Sequence, residues 1–228
     1  MVALTPSTQA EHNPVDILLV DSRQLVRAGI ERVLSDGGHL TVSDAAASCD
    51  EAIRLARRQP PRLIMLNLSG SGVEILDGAS KIRRQLADIP VIVFADESDL
   101  IIQERLLQAG VAACVSSLCS VEELFTAIDT VLKGERYISD SLARKMAERR
   151  LPGHKASPFD QLTHRELQIF LLVAEGKNTS AIAKKLCITR KTVNGYRNRV
   201  LEKLHVQTEV ELMHLAIRHG LVTVPGTI

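Results

Sequence analysis

An alternation of two patterns across residues 15–133 restricts the fold more than any other feature. Short apolar runs at 15–20, 40–46, 63–68, 89–94 and 111–115 are separated by amphipathic stretches near 24–35, 50–59, 74–87, 99–109 and 120–133. A run such as Leu63, Ile64, Met65 and Leu66 suits a strand buried on both faces. Five strands alternating with five helices predict an α/β domain, a parallel sheet covered on both sides. Right-handed crossovers leave few topologies, and the flavodoxin-like (βα)5 order 2-1-3-4-5 is the favoured one.

The remaining residues obey a different pattern. Of 228 residues, 45% are hydrophobic and 24% charged, enough for a real core in two ordinary domains. The net charge of +1 conceals an asymmetry. Residues 1–138 hold 13 Lys and Arg against 19 Asp and Glu, whereas residues 139–228 hold 15 against 8. A balance of −6 followed by +7 implies two domains with different partners, the second a polyanion.

Several function classes are disfavoured. Aromatic residues are 3% with no Trp, too few for a surface that stacks single-stranded bases. No apolar run approaches the roughly 18 residues of a membrane span, and residues 1–13 lack the order of a signal peptide. The expectation is a cytoplasmic protein with no membrane partner. Cys49, Cys114, Cys119 and Cys187 form no CxxC pair and have no His at metal spacing, so they are expected to be buried thiols. No metal or cofactor is expected.

Residues 1–13 are predicted to be a flexible tail, 14–136 the α/β domain, 137–158 a linker, and 159–228 a helical domain. Within the linker, 139–150 can form a short charged helix, while "LPGHKASPFD" carries two prolines and a glycine. The helical domain shows four helix starts. Thr163 with Glu166 and Thr208 with Glu211 make capping boxes, and Asn178 and Thr189 can cap the two helices between.

Those two middle helices, "NTSAIAKKLCITRKTVNGYRNRVLEKL", carry the basic charge. No acid occurs between Glu175 and Glu202. A solvated basic helix would have the same composition, but the order of residues is more specific. The "LTHRE" opening, "EGK", "IAKKL", "KTVNGY", "KLHV" and the closing "HLAIRHGL" resemble the LuxR-type helix-turn-helix domain over about 60 residues. The resemblance implies four helices, the third in the DNA major groove and the fourth pairing two protomers. By position, Lys191, Val193, Asn194 and Arg197 are base-contact candidates. Asn suits adenine and Val suits a thymine methyl. Thr192 lies on the same helix, and Asn178, Thr179, Lys184, Lys185, Tyr196, Arg199 and Lys203 are candidates for phosphate contact. On the fourth helix, Val210, Leu212, Met213 and 215–217 offer apolar surface, some of it for the domain's own core.

The first domain resembles the receiver of NarL/FixJ-type response regulators through "DILLVDSRQLVRAGIERVL", "PRLIMLNLSGSG", "IPVIVFADES" and "GVAACVSSLCSVEELFTAI". A working receiver holds Mg²⁺ with two acids after the first strand and an Asp after the third, which is also the nucleophile. A Thr or Ser and a Lys complete it. Here the five positions are Asp21, Ser22, Asn67, Ala95 and Ser117, so one of five is kept. The carboxylate charge falls from −3 to −1, the Lys is gone, and an amide nitrogen is no nucleophile because its lone pair is delocalised. The sequence therefore predicts a dimeric, DNA-binding regulator that binds two half-sites about one helical turn apart and needs no phosphorylation. The alternatives are a surrogate acceptor (Asp77 or Asp96) in an ordinary phospho-switch, and an interaction module that forms heterodimers or binds a small molecule.

Overall fold

A computed structural model of the protein describes residues 14–68, 72–95, 100–149, 151 and 157–222. The predicted tail, 1–13, and Asp96 lie outside them. Strands β1 (Val15–Val20), β2 (Leu40–Ala46), β3 (Leu63–Leu66), β4 (Val91–Ala95) and β5 (Ala113–Ser116) pair in parallel, and β6 (Tyr137–Ile138) adds a sixth. The order β2-β1-β3-β4-β5-β6 is the expected topology extended by one strand.

Successive strand residues point to opposite faces, so a continuous apolar run fills two cores. Ile17, Leu19, Leu63, Met65, Ile92 and Phe94 pack with α1 (Gln24–Asp36) and α5 (Val121–Leu132). Leu18, Val20, Ile64, Leu66, Val91 and Val93 pack on the opposite side with α2 (Cys49–Arg58), α3 (Gly72–Gln85) and α4 (Leu100–Gln108). Ser48 and Ser120 cap α2 and α5 by accepting from the backbone N–H of Glu51 and Glu123. Gly78 sits inside α3, where glycine costs about 1 kcal/mol relative to alanine. The reason is contact: a Cβ there would lie 2.6 Å from Leu68 Cδ1 and 2.7 Å from Cys49 Sγ.

Within the stretch predicted as a linker, residues 137–149 form a short strand and the expected helix. The Tyr137 N–H donates to Ala112 O, placing β6 beside β5, and Tyr137 and Ile138 reach the two cores separately. Two residues are too few to show a period, so this strand was invisible in the sequence. Then α6 (Asp140–Arg149) packs against α4, with Leu142 buried and Met146 against the same core.

The second domain comprises a 3-10 helix (Pro158–Gln161), α7 (His164–Ala174), α8 (Thr179–Lys185), α9 (Arg190–Leu204) and α10 (Glu209–Arg218). Thr163, Asn178, Thr189 and Thr208 cap the four α-helices; the capping box closes at Thr163 with Glu166, whereas Glu211 accepts from the Gln207 N–H and not from that of Thr208. Every residue of α7 from Glu166 to Ala174 is buried, because α9 and α10 both pack on it. The core on the α2, α3 and α4 side of the sheet continues into this domain's core. The thiols differ in environment: Cys114 is buried, Cys49 and Cys119 are half-buried, and Cys187 is exposed, contrary to the expectation of four buried ones.

Candidate functional site

Helices α8 and α9 form the expected turn-linked pair. The Ile188 N–H donates to Ala183 O at 3.0 Å, and Cys187 takes a left-handed φ of 52° to make the bend. Ala183 and Val193 are buried between the helices, so small side chains allow the close approach. The solvent face of α9 presents Arg190, Lys191, Thr192, Asn194, Asn198 and Arg199, with Tyr196 and Arg197 half-buried. Its first turn holds no acid, so this face concentrates positive charge and amide and hydroxyl groups that can read base edges.

Two residues leave the predicted contact set. Val193 is 0% exposed and can touch no thymine methyl, because helical spacing puts it on the face that packs inward with Val200. Lys203 points inward too. Its Nζ donates to Glu166 Oε2 at 2.7 Å and to Gln161 O at 3.0 Å, which makes it the counter-charge of a buried carboxylate. Burial raises the Glu166 pKa, but the bonds from Lys203 and from Thr163 outweigh it and hold the carboxyl below its ordinary value.

Others are held by internal partners at the surface. Asn178 Oδ1 caps α8 by accepting from the Ala181 N–H, and Thr179 Oγ1 accepts from Arg197 Nη1 at 2.7 Å. Arg197 also pairs with Glu209 at the start of α10, so one guanidinium ties α9 to both neighbours. Thr179 in turn lies 3.4 Å from Asn194 Oδ1. The Arg199 guanidinium stands 5.6 Å from the Tyr196 ring centroid. Lys184 is exposed, whereas Lys185 reaches Glu74 on α3 of the first domain at 2.9 Å. On α10, Leu212 and Ala216 face the core while Val210, Met213 and Ile217 are exposed in one stripe. The fold thus separates core residues of α10 from exposed ones, a choice the sequence left open.

At the carboxyl ends of the strands, Asp21 is fully buried and Arg23 holds it. Arg23 Nε and Nη2 donate to the two carboxylate oxygens at 3.0 and 2.8 Å, the Arg23 backbone N–H adds a bond at 2.7 Å, and Arg27 donates to Asp21 O. The same contact raises the Arg23 pKa. Asn67 follows β3 directly, and its N–H donates to Val20 O at 2.8 Å, so it stands beside the end of β1. Ala95 ends β4 and is buried, and Ser117 follows β5 and is exposed. This donor set does not fit Mg²⁺. The cation needs several oxygens, but the one carboxylate already accepts a guanidinium through both oxygens. Among the described residues, no three His, Cys, Asp or Glu come together as a metal site.

The domains meet through residues that nothing in the linear sequence marked for that role. Arg149 on α6 pairs with Glu104 on α4 and, at 2.7 and 2.9 Å, with both oxygens of Asp160. Arg105 on α4 donates to Phe159 O and Leu162 O at 3.1 and 2.6 Å. Gln168 on α7 donates to Asp77, the surrogate acceptor considered above, which lies mid-helix and faces the second domain.

Comparison with known proteins matches both halves. Residues 17–129 match the response regulator receiver domain, and 160–216 match the bacterial regulatory proteins of the luxR family. Response regulator UvrY of Escherichia coli K12 is 36% identical over 208 residues, covering 91% of this chain and 95% of UvrY. Response regulator GacA of Pseudomonas aeruginosa is 38% identical over 209 residues, covering 91% and 98%. The structure of RcsB from Salmonella enterica serovar Typhimurium, bound to promoter rprA with phosphomimetic BeF3⁻, shares the fold at a TM-score of 0.68 and 19% identity, covering 89% of this chain and 98% of RcsB.

Proposed function

The chain belongs to the response regulators that carry a luxR-family domain, and from that premise we propose that it is a dimeric, sequence-specific transcription regulator, not an enzyme, whose receiver takes no phosphoryl group. What carries the reading is the pairing of an amide at the acceptor position, Asn67, with the Arg23 clasp on the one retained acid, Asp21. The absence of the family's Lys at Ser117 is coherent with this, since a cation at that position would have no phosphoryl group to meet and only Asp21, already held by Arg23, among the site's acids.

For the output, the observation is the exposed basic face of α9. We assign Lys191, Asn194 and Arg197 to base edges. Thr192, Tyr196, Arg199, Asn178, Thr179, Lys184 and Lys185 are assigned to phosphate, with Lys185 released from Glu74 and Arg197 from Glu209 on binding. RcsB's binding to a promoter supports the same use of the fold here. The exposed stripe Val210, Met213 and Ile217 is the seam of a dimer that matches two half-sites. No helix among the described residues is long and apolar enough to cross a membrane, and we place the protein in the cytoplasm, where DNA is accessible.

Two measurements test this. Intact mass after incubation with a small-molecule phosphodonor and Mg²⁺ is expected to be unchanged, and a gain of one phosphoryl mass would restore the phospho-switch. Fluorescence anisotropy on promoter fragments is expected to show sequence-dependent affinity that falls steeply with salt. Binding indifferent to both sequence and salt would end the DNA reading.

A further inference from the structure

We propose that the cleft between the domains binds a small phosphate-bearing polyanion that bridges α3 and α4 of the receiver to α7 and α8 of the DNA-binding domain. The cleft is open to solvent and has a volume of about 730 Å³, room for a small molecule. Lys81, Arg84 and Arg105 line it from the receiver, Arg165 and Lys185 from the other domain, and Asp77 is the one carboxylate in the lining.

The charge arrangement is what needs explaining. The receiver is acidic and the second domain basic, so their contact should oppose unlike charges, yet the receiver's wall of this cleft is basic. Lys81 and Lys185 have partners in Asp50 and Glu74. The guanidinium groups do not: Arg105 bonds to the carbonyls of Phe159 and Leu162, and Arg165 to Leu186 O and the Gln168 amide. Among the described residues no carboxylate lies at ion-pair distance from Arg84, Arg105 or Arg165. Carbonyls align a guanidinium without cancelling its charge. Like charges held across a gap repel, and a ligand of opposite sign that touches both walls removes the repulsion. Guanidinium forks match phosphate oxygens in pairs, and a phosphate group offers three acceptor oxygens to cations arriving from two walls.

The local titration pattern agrees. Burial pushes the His164 pKa down at the cleft's edge, and Arg105 and Arg165 push it the same way. Burial raises the Asp77 pKa despite Arg165 and Lys185. The site is also separate from the receiver's strand-end loop. Arg84 lies twelve residues beyond Gly72 on α3, about 18 Å along the helix axis from the acceptor end. The inference therefore does not depend on whether Asn67 can be phosphorylated.

Calorimetric titration of the full chain with pyrophosphate, against sodium chloride at matched ionic strength, tests the proposal. The expected result is one saturable site, weakened about tenfold by Arg84→Gln, an exposed side chain whose loss leaves the fold intact. Arg84→Gln/Arg165→Gln is expected to abolish it. Cys187 lines the same cleft, so pyrophosphate is expected to slow its alkylation, read by peptide mass. No saturable heat, or affinity unchanged in Arg84→Gln, would overturn the site. Citrate binding in place of pyrophosphate would overturn the phosphate assignment. Competition by promoter DNA with Arg84→Gln unaffected would move the anion to the DNA-binding face.

Discussion

Arg23 closes on Asp21 from two residues away, with Nε and Nη2 at 3.0 and 2.8 Å from separate oxygens of one carboxylate. The carboxylate is fully buried while the guanidinium side chain is 47% exposed. A buried charge needs a partner, and a two-residue separation lets the chain supply one at the place where other members of the family would hold a cation.

Removing the clasp should make the protein responsive to metal. Arg23→Ala is expected to cost about 1–2 kcal/mol, reduced from the buried-pair range because Arg23 is half exposed. Urea unfolding in millimolar Mg²⁺ should recover part of that loss in the variant and change the wild type little. A wild-type midpoint that climbs with Mg²⁺ would contradict an occupied carboxylate.

Restoring the acid alone should not restore the chemistry. Asn67→Asp puts a carboxyl at a mostly buried strand end beside that of β1. Burial and the Asp21 charge would raise its folded pKa above its unfolded value of about 3.9. The variant's stability penalty is then absent at low pH and grows as pH rises above that unfolded value. It should also remain unphosphorylated, since Ser22, Ala95 and Ser117 still lack the other groups. Equal stability of wild type and variant at neutral pH would show that the site tolerates a second charge.

Neighbouring residues on α9 should separate by readout. Val193→Ala empties buried volume and is expected to cost about 2 kcal/mol, with DNA affinity falling only as the domain unfolds. Asn194→Ala is exposed, so its thermal midpoint should stay near wild type while specific affinity falls by about 1–3 kcal/mol. The reverse assignment of the two effects would require a different face of α9 on the DNA.

The second domain should be acid-sensitive through Glu166. Its carboxyl is held below the ordinary value, so the stabilisation is fully present above the unfolded pKa of about 4.3 and is lost as pH falls through the folded value. Glu166→Gln should flatten the dependence of the thermal midpoint between roughly pH 5 and pH 3. It should also lower stability at neutral pH, because Lys203 loses its partner. An unchanged acid slope in the variant would place the sensitivity elsewhere.

Arg149→Ala should loosen the domains. The side chain joins Glu104 of the receiver to Asp160 of the DNA-binding domain and is 14% exposed, so it is partly shielded from solvent. Backbone ¹⁵N relaxation should then report separate tumbling times for the two domains, against closer values in the wild type. Identical relaxation in the two proteins would mean that Arg105, the Gln168–Asp77 and Lys185–Glu74 contacts and the shared apolar core hold the docking without Arg149.

What was legible in the sequence was what depends on local spacing. Runs of apolar residues determined the strands, because a strand buried on both faces has no polar positions. Thr and Asn at the right offsets determined the helix starts of the second domain, because a cap bonds a backbone N–H only two or three residues away. The residue types at the family's site positions, Asp21, Ser22, Asn67, Ala95 and Ser117, were likewise readable one at a time. Tertiary structure decided which way side chains face and what they meet across long separations. It turned Val193 inward and gave Lys203 to Glu166, because α9 packs on α7 as well as presenting a face to solvent. It added β6 beside β5, packed the helix expected at 139–150 onto α4, and brought Arg105, Arg149 and Arg165 to the domain boundary. Those outcomes rest on contacts as distant as the 111 positions that separate Glu74 from Lys185, and no local pattern encodes such a pairing.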